Sequence, residues 1–456
     1  MKTLLILAYE CVPYHRPGST IGAQRPYQFA KHLPEVGWKV IVVCCDFNKR
    51  WTVTSEDAIH FIKDTMPQWL EELNQSNSVL IPLPSKKSAG YWDRLWLNCV
   101  EIDTALGTFL PKNGFAISAI RKISSIVKLF RGDYSQSWQD VAYKASMALV
   151  RETPIDFILA EHGPDAGVHV ARKLHIQTRI KWCVDFRDPV LQFQNRYARP
   201  MVKLIYRHYL KSAEFIVNVN EYWAYLDQVD YQKPCFVVTN GYDQDEFQNT
   251  HPLNRPNHSK LILYYGGNIK IPYQNFNLLF EALYHLDGND VNFVYVGNAH
   301  EFVRRQAKAF KIDQKVVCYP HLDRGKYLNM VRQADFLVLL SIQENKSRIF
   351  RNGFYPGKVF EYFAIRKPII CIPGDRAILD KLIQETKTGQ SFDNSRYLSA
   401  YLSEMLMLKK EMKPIPYFPD SRVGFYTRKN QAKKLASYMY AALEGLIKGM
   451  NDFEFQ

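Results

Sequence analysis

Leu4-Leu5-Ile6-Leu7-Ala8, a loop through Pro17-Gly18-Ser19-Thr20-Ile21-Gly22, a helical pattern from Gln24 to Leu33 and then Trp38-Lys39-Val40-Ile41-Val42-Val43-Cys44-Cys45 fill most of the first 45 residues. Both apolar runs are continuous rather than alternating, as in strands covered on both faces, and a helix between them implies a parallel crossover. Right-handed crossover then makes a Rossmann-like βαβ unit. The rhythm returns at 157–160, 181–184, 215–218 and 236–238, so a first domain is expected over residues 1–250. Between about 50 and 150 the rhythm is lost among aromatics and helical stretches, and that segment reads as a helical insertion. Residues 249–258 are polar with two prolines, the composition of a linker. Apolar runs at 261–265, 293–296, 316–319, 336–340 and 368–372 then predict a second Rossmann-like domain over 259–425. Thr427 is a candidate N-cap for a C-terminal helix within 427–447, expected to pack back towards the first domain.

The fold class is therefore α/β, with two parallel sheets whose carboxyl ends are expected to face a shared cleft, the usual ligand site of open α/β sheets. A length of 456 residues suits two domains, and 47% hydrophobic with 23% charged residues excludes global disorder. The net charge of +14 favours anionic partners. Eight cysteines without any C-x-x-C spacing argue against structural zinc and for free thiols in a reducing compartment. The apolar N-terminus is short, lacks a small-residue cleavage site and leads into Pro13, Pro17 and Gly18, so it reads as a strand and its loop. With no apolar stretch of about 18 residues, a cytoplasmic protein is expected.

Candidate site residues fall in strand-to-helix loops. Gly18, Ser19 and Gly22 precede a helix, where backbone N–H groups hold an anion or hydroxyl, although the spacing is not that of a nicotinamide loop. His162, in Glu161-His162-Gly163-Pro164, can donate to a hydroxyl or phosphate. Asp185 and Asp188 flank Arg187 and either orient an acceptor hydroxyl or brace the loop. Gly266 and Gly267 with Lys270, and Gly297 after the next strand, suit a pyrophosphate held by amides and one cation, or plain tight turns. Gly357 opens a helix whose N-terminus can hold a diphosphate, with Lys358 and Arg348 adding charge. Glu361, one turn inside, can accept two hydrogen bonds from vicinal ribose hydroxyls.

The order of a Gly-rich first loop, Glu161-His162-Gly163-Pro164, Asp185-Phe186-Arg187-Asp188-Pro189, Thr239-Asn240-Gly241-Tyr242-Asp243, Tyr265-Gly266-Gly267 and Pro356-Gly357-Lys358-Val359-Phe360-Glu361-Tyr362 resembles glycosyltransferase family 4, with the GT-B fold. The resemblance implies a nucleoside-diphosphate sugar donor in the second domain and an acceptor on the first. It also implies retention of configuration, no obligatory metal and no further cofactor. It matches Glu361 to the ribose-binding glutamate, the second of an E-x7-E pair, and His162 to the cleft histidine near the donor sugar. The chain departs from the pattern at Gly353, where the first glutamate of the pair would stand, and at Asn268 and Tyr273, where an arginine and a lysine would. A saccharide or lipid-linked acceptor is expected. Residues 115–132 carry Ile120, Ile123, Ile126, Val127 and Phe130 on one helical arc with four basic residues elsewhere, a pattern suited to an anionic membrane surface or to core packing. The rival readings are a sugar-nucleotide epimerase and a nucleic-acid-binding module, the latter without any recognised motif.

Overall fold

A computed structural model describes residues 1–16, 20–49, 52–86, 135–191, 198–248, 260–271, 273–342 and 352–447. The chain divides into two compact units, Met1–Thr239 with Gln431–Gln456, and Asn240–Asn430.

In the first unit, β1 (Lys2–Leu7), β2 (Trp38–Cys45), β4 (Ser78–Leu83), β6 (Phe157–His162), β7 (Lys181–Phe186), β8 (Ile216–Asn218) and β9 (Cys235–Val237) form one parallel sheet, and β3 (Thr52–Val53) pairs with β5 (Ser85–Lys86) beside it. The order is β4-β2-β1-β6-β7-β8-β9, with Lys2 opposite Trp38 and Leu4 opposite Phe157. The chain reverses direction across the sheet between β1 and β6. Their carboxyl ends, and those of β7 beside them, are where side chains for a ligand belong.

The expected insertion at 50–150 is corrected in its first third. The helix Ser55–Ser76 and β4 continue the βαβ rhythm, with Val40 opposite Ser78 and Cys45 opposite Leu83. β4 is an edge strand that buries only Val79, Ile81 and Leu83, and Pro82 sits in it, so its sequence lacks a continuous apolar run. The helix before it is held by a capping box between Thr54 and Asp57 and buries Ala58, Ile62, Met66, Trp69 and Leu73 along one stripe. A second helix, Gln136–Glu152, buries Trp138, Val141, Ala142 and Leu149 in the same core. Residues 115–132 lie outside the described residues.

In the second unit, β10 (Leu261–Gly266), β11 (Val291–Val296), β12 (Val316–Tyr319), β13 (Phe336–Leu340), β14 (Ile369–Ile372) and β15 (Gly389–Ser391) form a parallel sheet in the order β12-β11-β10-β13-β14-β15. Its reversal falls between β10 and β13, placing the Gly266-Gly267 turn at the switch point. The unit starts at Asn240, earlier than residue 259, because 240–248 already belong to its packing. Tyr242 N–H donates to Tyr426 O at 3.1 Å, Arg428 N–H to Tyr242 O at 2.8 Å, and Arg332 to Phe247 O at 2.6 Å.

The C-terminal helix Arg428–Leu443 begins after Thr427, whose hydroxyl accepts from Asn430 N–H at 3.2 Å. From Gln431 onward it belongs to the first unit. There Leu435, Tyr438 and Met439 share a core with Phe157, Phe215 and Phe236, and the Tyr438 ring stacks on Phe236 at 4.3 Å. Cys11, Cys44, Cys45, Cys183, Cys235, Cys318 and Cys371 are free thiols. Among the described residues no helix is long and apolar enough to cross a membrane.

Candidate active site

In the first unit, Asp185 at the end of β7 meets Arg25 on the helix Thr20–His32. Nε lies 2.6 Å from Oδ2 and Nη2 2.9 Å from Oδ1, and Arg25 also donates to the carbonyls of Val238 and Thr239. Each side chain is 2% exposed, so both carboxylate oxygens are committed to a buried bidentate fork. This geometry is that of the bracing alternative, with Arg25 rather than Arg187 as the partner of Asp185. Asp188 is exposed two residues beyond the strand.

Between these two aspartates, Arg187 turns instead to Glu161 and to two glycines. Its guanidinium fills the space two glycines leave open. A Cβ on Gly22 would stand 2.1 Å from Nη1, and one on Gly163, at φ +117°, 2.9 Å from Nη2. Nη2 donates to Gly163 O at 2.8 Å, and Nε lies 3.2 Å from Oε1 of the buried Glu161 without aiming its N–H at it. Burial, against the pull of Arg187 and with Asp185 adding repulsion, pushes the Glu161 carboxyl up to about 8. Gly22, expected before the helix, lies inside Thr20–His32, and its missing side chain makes room for Arg187. Gly18 and Ser19 lie outside the described residues.

His162 ends β6. Its Nε2 lies 2.7 Å from Asp165 Oδ1 and 2.9 Å from Tyr206 Oη, and the Tyr206 hydroxyl in turn donates to Asp165. The rings of Phe186 and Tyr206 meet the imidazole edge-on at 4.9 and 5.7 Å. Burial raises the Asp165 pKa, but hydrogen bonds and charge from His162, with Tyr206, outweigh it and hold the group down at about 2.

In the second unit, four expected residues converge. Gly267 has φ +126°, and a Cβ there would stand 2.3 Å from Lys358 Nζ. The lysine ammonium therefore occupies the place of the missing side chain, 5.0 Å from the Tyr265 ring centroid. Gly266 makes room for Tyr327, whose ring would lie 2.4 Å from its Cβ. Gly297 closes the turn from the other side: a Cβ there would be 2.4 Å from Gly267 O, which also accepts from the Tyr295 hydroxyl at 3.0 Å. Burial pushes the Lys358 pKa down and the nearby Lys270 adds to it, against the pull of Glu361. Lys270 itself lies 4.4 Å from the Phe354 ring centroid.

Glu361 is partly exposed on the helix Lys358–Ile365, for which Gly357 is an exposed N-cap. Arg324 bonds its Oε1, and the Tyr327 hydroxyl donates to Oε2 at 3.0 Å. Arg324 also reaches Glu246 at 2.8 Å. Arg324 and Tyr327, both on the helix Arg324–Gln333, are functional candidates with no glycine or carboxylate pattern to mark them in the sequence. Arg348 lies outside the described residues. Among the described residues, no group of three or more His, Cys, Asp or Glu could hold a metal ion.

Residues 246–414 match the family model described as glycosyl transferases group 1. The matched segment lies mostly within the second unit's sheet and its helices. The match covers β10 to β15 and both sides of the Lys358 and Glu361 cluster. With a Rossmann-like parallel sheet in each unit, the architecture is GT-B. Among solved structures, the chain is similar to the N-terminal domain of Candida albicans trehalose-6-phosphate phosphatase, at 10% identity over 97% of each chain and a TM-score of 0.57. It is also similar to sucrose-phosphate synthase from Thermosynechococcus elongatus, at 12% identity over 98% of each chain and a TM-score of 0.50. At these identities the likeness concerns fold alone. No curated protein sequence matches the chain.

Proposed function

We infer that the chain transfers a glycosyl unit from a nucleoside-diphosphate sugar to a saccharide or lipid-linked acceptor, with retention and without an obligatory metal. The observation that carries this reading is the lysine pair at the second unit's switch point. Lys358 is lodged against Gly267 and depressed by burial and by Lys270, so its protonated state gains when an anion arrives. Beside it, Glu361 keeps one lone pair on each oxygen for ribose hydroxyls while Arg324 and Tyr327 fix its orientation.

A diphosphate leaving group gains charge as its bond to the anomeric carbon breaks, so cations already in place stabilise the transition state more than the bound donor. Lys358 and Lys270 are the residues for that task. The acceptor hydroxyl is expected from the first unit, where His162 stands at the end of β6.

The test is calorimetry of a panel of nucleoside diphosphates and their sugars, followed by transfer assays with the donor that binds. Glu361→Ala should weaken nucleotide binding at least about tenfold, the loss of hydrogen bonds to a charged acceptor. Wild-type affinity in that variant would remove the ribose assignment. Lys358→Ala should lower kcat more than it weakens binding, and excess EDTA should leave transfer unchanged; metal-dependent turnover would refute the metal-free part.

A further inference from the structure

The contacts of His162 fix where its proton is. Tyr206 has a single hydroxyl proton and donates it to Asp165, and Asp165, with two hydrogen-bond partners within reach of Oδ1, is a carboxylate with only lone pairs to offer. Nε2 lies within 3 Å of both oxygens. A bare Nε2 would face two oxygens with no proton between them, so Nε2 carries the hydrogen and donates it. In the neutral imidazole the other nitrogen, Nδ1, is then a lone-pair acceptor. Among the described residues no group bonds Nδ1, on a side chain that keeps 14% of its surface exposed.

We propose that Asp165 and Tyr206 are positioning residues that lock His162 with its proton on Nε2, so that Nδ1 accepts a hydrogen bond from a hydroxyl of the bound carbohydrate. This rests on the glycosyl-transfer reading and sharpens it, since a neutral His162 held this way has no donor to offer a phosphate oxygen. Asp165 precedes the helix Ala166–Thr178 and Tyr206 belongs to the helix Arg199–Leu210, so two separate elements converge on one ring nitrogen. Phe186 and Tyr206 restrict the ring plane from its edges.

The proton's place is read without any ligand, by long-range proton–nitrogen correlation on the full chain labelled with 15N-histidine, at a pH above imidazole titration. The resonances missing in His162→Asn belong to His162. They should show a protonated Nε2 with a downfield hydrogen-bonded proton, and Asp165→Ala should move that proton upfield. A proton on Nδ1, or a spectrum indifferent to Asp165→Ala, overturns the proposal. In transfer assays the amide of His162→Asn reproduces the Nδ1 position and that of His162→Gln the Nε2 position. His162→Asn should therefore retain about tenfold more transfer than His162→Gln, the worth of one hydrogen bond. The reverse order overturns the Nδ1 contact. Asp165→Ala should lower transfer in the wild type and add little in the His162→Asn background; an undiminished loss there would make Asp165 merely structural. Failure of every sugar nucleotide to support transfer would sink the underlying reading, while the imidazole spectrum still decides the tautomer.

Discussion

Gly267 shows how one missing side chain sets a site's electrostatics. Its φ of +126° is costly for any other residue, and the volume a Cβ would take is filled by the Lys358 ammonium. Gly267→Ala is therefore expected to destabilise the second unit by about 1–3 kcal/mol and to displace the lysine. Urea unfolding and nucleotide calorimetry on the variant check both effects, and a variant as stable as wild type with unchanged binding would show that the turn yields easily. The buried fork of Arg25 and Asp185 makes a second case. Arg25→Met leaves a carboxylate committed to the interior without its partner and should cost about 3–5 kcal/mol. The sequence marked Gly267, Lys358 and Glu361 because glycines, a lysine and a carboxylate around a helix start have recognisable chemistry. It hid Arg324 and Tyr327, whose partner Glu361 lies 34 or more positions away and meets them only through the sheet order.

At the level of elements, legibility followed burial. Strands covered on both faces, such as β1, β2 and β13, announce themselves as continuous apolar runs, and all three sit inside their sheets. The edge strand β4 buries alternate residues only, and that is where the expected helical insertion was misplaced. The boundary between the units was blurred for a related reason. The polar stretch 249–258 reads as the linker and leaves 240–248 to the first domain, yet these residues pair through Tyr242 and Phe247 with distant parts of the second unit. The C-terminal helix contributes to the first unit through a few large side chains, chiefly Tyr438 stacked on Phe236. Tyr438→Ala should destabilise that unit by about 3–5 kcal/mol, as for other buried rings truncated to alanine. Differential scanning calorimetry should locate the loss in one transition.

For the whole molecule, pH dependence joins two acids of the first unit, the buried Glu161 and the half-buried Asp165, and they act in opposite senses. Glu161 has its folded pKa raised to about 8 from an ordinary 4.5, so between these values the folded chain binds a proton that the unfolded chain has released. Stability from this group is complete below the unfolded value and declines as pH rises through the window, by up to about 1.4 kcal/mol per pH unit. Asp165, lowered to about 2 from 3.8, contributes stability that is present above 3.8 and lost as pH falls towards 2. Glu161→Gln keeps the shape without the titration, so its stability relative to wild type should rise steadily as pH climbs from about 5 to 8. The difference between variant and wild type isolates Glu161, because every other group is common to both. Urea midpoints measured at half-unit intervals give that difference directly. Curves that stay parallel across the window would mean that Glu161 is ionised in the folded chain and that Arg187, at 3.2 Å, fully compensates its burial. In that event Arg187→Met should destabilise the chain strongly at neutral pH, whereas with a protonated Glu161 the same change is mild below pH 8 and severe only above it.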